Sequence, residues 1–401
     1  MFFNAPVRAL HAARLPTHHL LMPLILFLIF SLVITYVYFG YPALIWLMTR
    51  RKPPIEFISA EAEDRRPSLS LIIPAYNESS VIERKIQNTL SLSYPEDKLE
   101  IIVASDGSDD ETDEIVKRYA DRGIRLYRGA NRLGKTPTMM EAVKMARGTI
   151  FVFSDANAMY ATDALEKLVL PFQDEQVGCV CGKLRYINRE GTTIGEGEAL
   201  YWKYESRIKT WESKFNTLIG ANGSIYAVRR SAYVPLDADL SDDLGFPLAA
   251  YARGFKIIFQ PDALSTEEAP RDIRTEFKKK SRFVAHQLTT LARLWVILRP
   301  WRDLKFLFQV VSHKLLRNCV PCFLLGMLIL SYTIPGPYGP LLLWGQVIFY
   351  GLALLGGLMY GHIQVNKVLI IPLYFCIVNA AALNGIFQYF RRRNYAVWNE
   401  K

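Results

Sequence analysis

The sequence predicts an α/β domain with a mostly parallel sheet, held at a membrane by apolar helices on both sides of it. Three observations carry this. Apolar residues collect in Leu20–Leu47, which holds no charge, and again from about Val320 to Phe390. The residues between have ordinary soluble composition. From Pro67 onward short apolar runs alternate with helical segments, the β-α-β-α order of a sheet with helices on both faces.

The 401 residues hold one α/β domain of roughly 200–250 residues plus several spans. Leu20–Leu47 is long enough to cross a bilayer and too long for a signal peptide, and no small-residue cleavage site follows it. Arg50, Arg51 and Lys52 follow instead and place the downstream side in the cytoplasm, against Arg8 and Arg14 on the other flank. The domain division expected is 1–52 for the N-terminal anchor, 67–274 for the α/β domain, 275–311 for interfacial helices and 312–401 for a C-terminal membrane cluster.

That cluster offers three apolar runs, Asn318–Ile334, Leu341–Tyr360 and Val368–Phe390. Pro335, Pro337 and Pro340 break the first from the second, and Gly361–Lys367 separates the second from the third. Trp46, Trp344 and Trp398 lie near run ends, where indole favours the interface. One span plus three puts the C-terminal side outside, whereas Arg391, Arg392 and Arg393 argue for the inside. Either the short Asn318–Ile334 run is re-entrant or in-plane, or the arginines break the rule. Thr275–Val311 mixes Leu291, Trp295, Ile297 and Leu298 with Arg293, Arg299 and Arg302 around Pro300, as helices in the headgroup plane do. Surface helices of the α/β domain are the alternative.

The net charge of +10 fits orientation and anionic lipid. No RNP, zinc-finger or basic-zipper pattern supports nucleic-acid binding. Five cysteines, among them Cys179, Cys181, Cys319 and Cys322, form no zinc or disulfide pattern and read as small buried hydrophobes in a reducing compartment.

Within the α/β domain, strands are expected at Leu69–Ile73, Glu100–Ala104, Arg125–Tyr127 and Ile150–Phe153. Helices are expected at Ser79–Leu92, Asp110–Ala120 and Thr138–Arg147. Sheets of this kind bind ligands beyond the carboxyl ends of their strands. Those ends read Pro74-Ala75-Tyr76-Asn77-Glu78, Ser105-Asp106-Gly107-Ser108-Asp109-Asp110 and Ser154-Asp155-Ala156-Asn157. Each alone reads as a helix cap. Three on one rim read as a binding site.

With these motifs the chain resembles the family-2 glycosyltransferases of GT-A fold, in particular the membrane-embedded synthases of cellulose, hyaluronan and poly-N-acetylglucosamine. The resemblance covers about Ser68–Gln287 by motif and the rest by span layout. It implies a UDP-sugar donor, a divalent cation (Mg²⁺ or Mn²⁺), a glycan or lipid-linked acceptor, and a cytoplasmic catalytic domain on a bacterial-type inner or plasma membrane. By resemblance, Pro74, Tyr76 and Glu78 cradle the nucleoside, Asp106 contacts the base, and Lys135 approaches the diphosphate. Asp155 and Asn157 occupy the Asp-x-Asp position at the metal. Asn222 and Gly223 belong to an acceptor-side loop, Gly220–Ser224. Ser241-Asp242-Asp243 resembles Thr-Glu-Asp, with Asp242 on the acceptor side and Asp243 the catalytic base. Lys279, Arg282 and Phe283 fall where processive members carry Gln-x-x-Arg-Trp, Arg282 on the donor side and Phe283 on the acceptor side.

The chemistry agrees. A sugar hydroxyl needs a base to become a good nucleophile, and a departing diphosphate needs positive charge. Asp243 supplies the first, and Asp155 with a hard cation, Lys135 and Arg282 supply the second. Two residues depart from the family pattern. Asn157 brings an amide oxygen where a carboxylate is usual, which lowers metal affinity. Lys279 and Phe283 replace Gln and Trp, and Phe283 loses the indole donor, which leaves single transfer to polyprenyl phosphate or a lipid-linked sugar open beside processive synthesis.

Trp202, Tyr204, Glu205 and Trp211 form either an acceptor wall or a helix packed on the sheet. His286 reads as structural. Gly129–Thr136 is a complete GxxxxGK[ST] match, so a P-loop NTPase is a distant alternative, but it leaves Asp106, Asp243 and Arg282 without a role. An inactive nucleotide-binding scaffold is another, and the carboxylates retained at Asp106, Asp155 and Asp243 argue against it.

Overall fold

The first strand faces apolar residues to both sides, and the domain is built on that fact. Leu69, Leu71 and Ile73 enter one core and Ile72 the other, as period-two side chains of a doubly covered strand must. The computed structural model describes residues 17–53, 66–188, 191–270, 272–360 and 367–391. Arg8, Arg14, the 361–366 part of the break between runs, Arg392, Arg393 and Trp398 lie outside the described residues.

The chain enters through α1 (Thr17–Thr35), a π turn at Tyr36–Gly40 and α2 (Tyr41–Thr49). There follow β1 (Leu69–Ala75), α3 (Ile82–Leu90), β2 (Leu99–Ser105), α4 (Thr112–Lys117), β3 (Ile124–Arg128), α5 (Lys135–Met145) and β4 (Ile150–Phe153). Then come β5 (Met159–Tyr160), α6 (Ala164–Val169), β6 (Val177–Ile187), α7 (Thr193–Phe215), β7 (Tyr226–Arg229), α8 (Asp242–Ala252) and β8 (Lys256–Glu268). The strands form one sheet in the order β3-β2-β1-β4-β7-β6-β8-β5. β1 to β4 are parallel, β7 is antiparallel to both neighbours, and β6 and β8 are parallel again. One face is covered by α3, α4 and α6, the other by α5 and α8.

Helix ends differ from expectation for local reasons. Asp110 stays outside α4 because its carboxylate accepts from Thr112 N at 2.9 Å and Ser79 N at 3.1 Å, a local bond that competes with helical geometry. α5 starts early, at Lys135, because Gly134 takes φ 104° and turns the chain into the helix there.

The remaining elements are α9 (Ile273–Leu298), α10 (Leu304–Gln309), a π turn at Val310–Leu315, α11 (Leu316–Thr333), α12 (Tyr338–Met359) and α13 (Lys367–Phe390). Four helical stretches among the described residues are long and apolar enough to cross a membrane: Leu21–Thr49, Leu304–Thr333, Tyr338–Met359 and Val368–Phe390. The run expected to be short, Asn318–Ile334, belongs to a helical stretch of 30 residues. The 275–311 stretch becomes α9, a sharp turn at Arg299 with φ 44°, and the foot of that long stretch. Leu291, Leu294, Leu298, Phe306 and Val310 are buried in the sheet's own core, so this foot belongs to the α/β domain. Val296, Ile297, Trp301 and Leu304 are 54–74% exposed and form an apolar ledge beside it. Higher up, α1 and α11 pack closely: Phe30 and Phe323 lie 5.3 Å apart, and Gly326 leaves room for the Phe30 ring.

Candidate active site

Strand register assembles the site. Ala75 pairs with Ser105, Ile72 with Phe153, and Phe153 with Tyr226. The segments after β1, β2 and β4 and the one before β7 therefore emerge on one rim. The β1 exit is latched to the β2 exit: Asn77 N donates to Ser108 Oγ at 3.2 Å, and Glu78 N to Thr112 Oγ1 at 2.8 Å. Asn77 takes the left-handed φ of 55° that Asn tolerates. Pro74 is buried at the strand end, and the Tyr76 ring is covered by the Arg132 guanidinium at 3.8 Å.

Asp106 is buried, and its carboxylate accepts from Leu133 N at 2.8 Å, Gly134 N at 2.9 Å and Thr138 Oγ1 at 2.7 Å. It braces the end of the Gly129–Gly134 loop against the first turn of α5. The same bonds bear on the P-loop alternative. Two amides that would have to cradle phosphate already serve Asp106, and the preceding strand, β3, lies at the sheet edge.

With its helix start fixed, Lys135 reaches across the rim. Its Nζ lies 2.7 Å from Asp155 Oδ1 and 3.3 Å from Asp242 Oδ1. Burial alone would lower the lysine's pKa; the carboxylates of Asp155 and Asp242 outweigh it and raise it. Burial likewise pushes the Asp155 carboxyl up, but Lys135, Lys279 and Lys85 together hold it below the ordinary range. Asp242 stays raised by burial, which Lys135 offsets only in part, and it accepts from Tyr226 OH at 2.9 Å.

Asp242 and Asp243 open α8, where the helix N-terminus favours negative charge. Asp243 is the more exposed of the two; its carboxylate accepts from Ser241 Oγ and its carbonyl from Ala221 N at 2.7 Å. The Gly220–Ser224 loop is thus tied to the α8 start. Asn222 is buried and holds that loop, donating to Gly182 O at 2.9 Å and accepting from Ser224 Oγ at 2.6 Å. Gly223 lies against the ion pair: a Cβ there would stand 2.9 Å from Asp155 Oδ2 and 3.1 Å from Lys135 Nζ.

Asp155, beside Gly223, and the exposed Asn157 two residues on could offer side-chain oxygens to a divalent cation. Among the described residues no group of three or more His, Cys, Asp or Glu side chains could hold a metal alone. A carboxylate and an amide beside a glycine-lined cradle suit a hard cation whose remaining ligands are substrate phosphates and water.

Beyond the rim the β6/β8 ribbon carries Tyr186 and Glu267 toward α9. Lys279 donates to Tyr186 OH at 3.0 Å; burial lowers its pKa, and Glu267 with other carboxylates more than reverses this. Trp202, half-buried, donates to Glu198 Oε1 at 2.8 Å and lies 6.1 Å from the Tyr186 ring. Arg282 is partly buried and Phe283 is exposed on α9, one turn past Lys279. Of the other acceptor-wall residues, Tyr204 donates to Tyr38 O, and Tyr204 and Trp211 pack against Tyr41 and Ile45, a helix-packing role.

Sequence reasoning missed Lys85. This lysine is fully buried, donating to Ser154 Oγ at 2.7 Å and to Ala158 O, either side of the Asp155–Asn157 turn. Burial lowers its pKa to about 7, against the opposing pull of Asp155 and Glu267. Its position betrays it: Ile82, Lys85, Ile86 and Thr89 form the buried stripe of α3. Glu267 had a similar marker, an inward position of β8 in line with Ala263 and Ser265.

Three acids and a lysine thus gather at the carboxyl edge of the parallel strands, the place where α/β sheets of this kind bind their ligands. Residues 70–234 match the model of glycosyl transferase family 2, so the chain carries a family-2 glycosyltransferase domain of GT-A fold. A probable glycosyltransferase of Bacillus subtilis, YdaM, is 29% identical over 231 residues, 54% of this chain and 54% of that protein. A poly-beta-1,6-N-acetyl-D-glucosamine synthase of Staphylococcus aureus is 26% identical over 258 residues, 62% of this chain and 60% of that protein. The matches thus span little more than half the length of these relatives. The mannosyltransferase PcManGT from Pyrobaculum calidifontis, solved with GDP-Man and Mn²⁺, shares the fold with a TM-score of 0.70. The match covers 92% of this chain and 100% of that one at 23% identity.

Proposed function

We propose that this protein transfers a hexose or N-acetylhexosamine from a nucleotide sugar, a UDP-sugar in the first instance, to a glycan or lipid-linked acceptor at the cytoplasmic face of a membrane, with inversion. One observation carries the reading: Lys135, Asp155 and Asp242 meet within 3.3 Å at the edge of the sheet, with Asp243 adjacent on the same helix start. The names of relatives support an aminosugar, since they include an N-acetylglucosaminyltransferase of Bradyrhizobium diazoefficiens and the S. aureus synthase.

In this reading Asp243 takes the proton of the acceptor hydroxyl as its oxygen attacks the anomeric carbon. The bond from that carbon to the diphosphate breaks, and the nucleoside diphosphate departs with the electron pair. Lys135 faces the negative charge that develops there. Asp155 and Asn157 would hold Mg²⁺ or Mn²⁺, which supplies further positive charge to the leaving diphosphate. Asp242, buried between Tyr226 and Lys135, orients the lysine. A single displacement inverts the anomeric centre.

The test is to offer the purified full chain a panel of UDP-sugars, with GDP-mannose beside them, and weigh the products. One added sugar indicates single transfer and long products a synthase; retained anomeric configuration excludes the mechanism. Asp243→Asn should lower turnover by about 10²–10⁴-fold with donor affinity unchanged. Undiminished turnover would remove Asp243 from the role of base.

A further inference from the structure

We infer that α13, although long and apolar enough to span, lies in the plane of the membrane against α9, so that the chain leaves it on the side of the catalytic domain. The inference rests on α1, α11 and α12 being spans and is independent of the reaction.

The position of α9 decides it. Its C-terminal half belongs to the catalytic domain: Leu291 and Leu294 lie in the sheet core, and Thr290 Oγ1 accepts from Ser241 N at 3.0 Å. The part before it is fixed across the domain-side ends of two candidate spans. Ile273 and Tyr360, the latter at the end of α12, pack against one cluster of Ile194, Leu373 and Ile377, and Gln287 Oε1, just past the middle of α9, accepts from Asn318 Nδ2 at 2.9 Å near the start of α11. Between these anchors α9 exposes Arg274 and Lys278, which hydrocarbon would not admit unpaired.

α13 follows α9 through this stretch. Tyr374 OH reaches Glu276 and Glu198, and its ring fills the space over Gly197, where a Cβ would lie 2.6 Å away. Eleven residues on, Gly385 backs onto Ser281, where a Cβ would stand 2.6 Å from the Ser281 carbonyl oxygen. At 1.5 Å per residue these contacts are about 16 Å apart along α13. A crossing α13 would carry Ser281 and Val284 that far into the bilayer, past the level at which Asn318 holds Gln287. Burial agrees: half of the most apolar stretch of α13 is buried in the protein, against 11%, 22% and 11% for the other three.

The exposed side chains of α13 ahead of Arg391 are apolar, Val368, Ile371, Ala380, Phe387 and Phe390, with Leu383, Asn384 and Ile386 half-buried among the last three. The occupant of this surface is the acyl boundary of the bilayer, because the exposed side chains are apolar and the helix ends at Arg391, followed in sequence by Arg392 and Arg393. The conflict between span count and arginine run then disappears: three spans return the chain to the inside, where the positive charges belong.

The experiment places nitroxide labels at Ala380→Cys and Phe390→Cys in the full chain, with Cys319, Cys322 and Cys376 replaced by Ala, in phosphatidylglycerol-containing vesicles. Labels at Leu325→Cys and Tyr332→Cys of α11 provide the spanning control. Depth from oxygen and nickel relaxation should differ by less than about 5 Å between 380 and 390, and by about 10 Å between 325 and 332. A difference near 15 Å between 380 and 390 overturns the inference. A flat control with a flat pair overturns the spans beneath it. Should the labelled chains not fold, an alkaline-phosphatase fusion after Lys401 decides: an inactive fusion supports the inference and an active one refutes it.

Discussion

Lys85 shows most clearly how one side chain serves the site rather than the fold. Burying an ammonium is costly, and an apolar residue of similar volume is often neutral or stabilising in such a place. Yet Lys85 sits in the apolar stripe of α3 with no carboxylate among the described residues within ion-pair distance, tying both ends of the Asp155 turn. Lys85→Met should therefore keep or raise the thermal midpoint of the detergent-solubilised protein while weakening binding of Mn²⁺ with UDP or GDP by tenfold or more. A variant that binds as the wild type does would make the lysine a mere passenger. The pH dependence carries a sign. With a folded pKa near 7 and an unfolded one near 10.4, the unfolded chain binds the extra proton between those values. Stability of the wild type relative to Lys85→Met should then rise with pH, by up to about 1.4 kcal/mol per unit. Chemical denaturation of both proteins at pH 7, 8 and 9 measures this; a flat or falling difference contradicts the assignment.

At the scale of elements, α7 joins the catalytic domain to the membrane helices through charge. Glu198, Glu205 and Glu212 recur at seven-residue spacing, all buried. Each meets a partner on another element: Glu198 meets Lys280 of α9 and Tyr374 of α13, Glu205 meets Arg317 of α11 at 2.8 Å, and Glu212 meets His313 at 2.8 Å and Tyr41 of α2. For Glu205, burial is outweighed by His313 and Arg317, which hold the carboxyl well below its usual range. Neutralising one member leaves a buried cation without its counterion, a cost of about 3–5 kcal/mol. Glu205→Gln should lower the thermal midpoint markedly, and Glu205→Gln with Arg317→Met should recover part of the loss; strict additivity in that cycle would show that the pair is not coupled. The parallel half of the sheet was legible in the sequence because buried strands read as unbroken apolar runs, as Leu69–Ile73 does. The α7 seam was not: helical periodicity names a face but not what covers it, and the partners of its glutamates lie as much as 176 residues away. Asp106 was legible as a rim residue, yet not as the brace of the loop before α5, because the amides it serves are 27 and 28 residues further on.

For the whole molecule, the question is how deep the catalytic domain sits. The turn between α9 and α10 carries the exposed Val296, Ile297, Trp301 and Leu304 beside Arg293, Arg299 and Arg302, and each of these arginines is itself exposed. Apolar side chains ringed by cations are the composition of a surface that enters the headgroup region. The domain would then rest on the lipid through this ledge, with the α1, α11 and α12 helices rising beside it. The rim carrying Asp155 and Asp243 would stay within reach of an acceptor held in the membrane. Trp301 reports on this directly. In vesicles containing phosphatidylglycerol brominated near the top of the acyl chain, its contribution to fluorescence, taken as the difference between the wild type and Trp301→Phe, should be quenched. Bromine near the chain end should quench it far less. Equal quenching by both, or none by either, would lift the ledge off the membrane and leave the domain held by its helices alone.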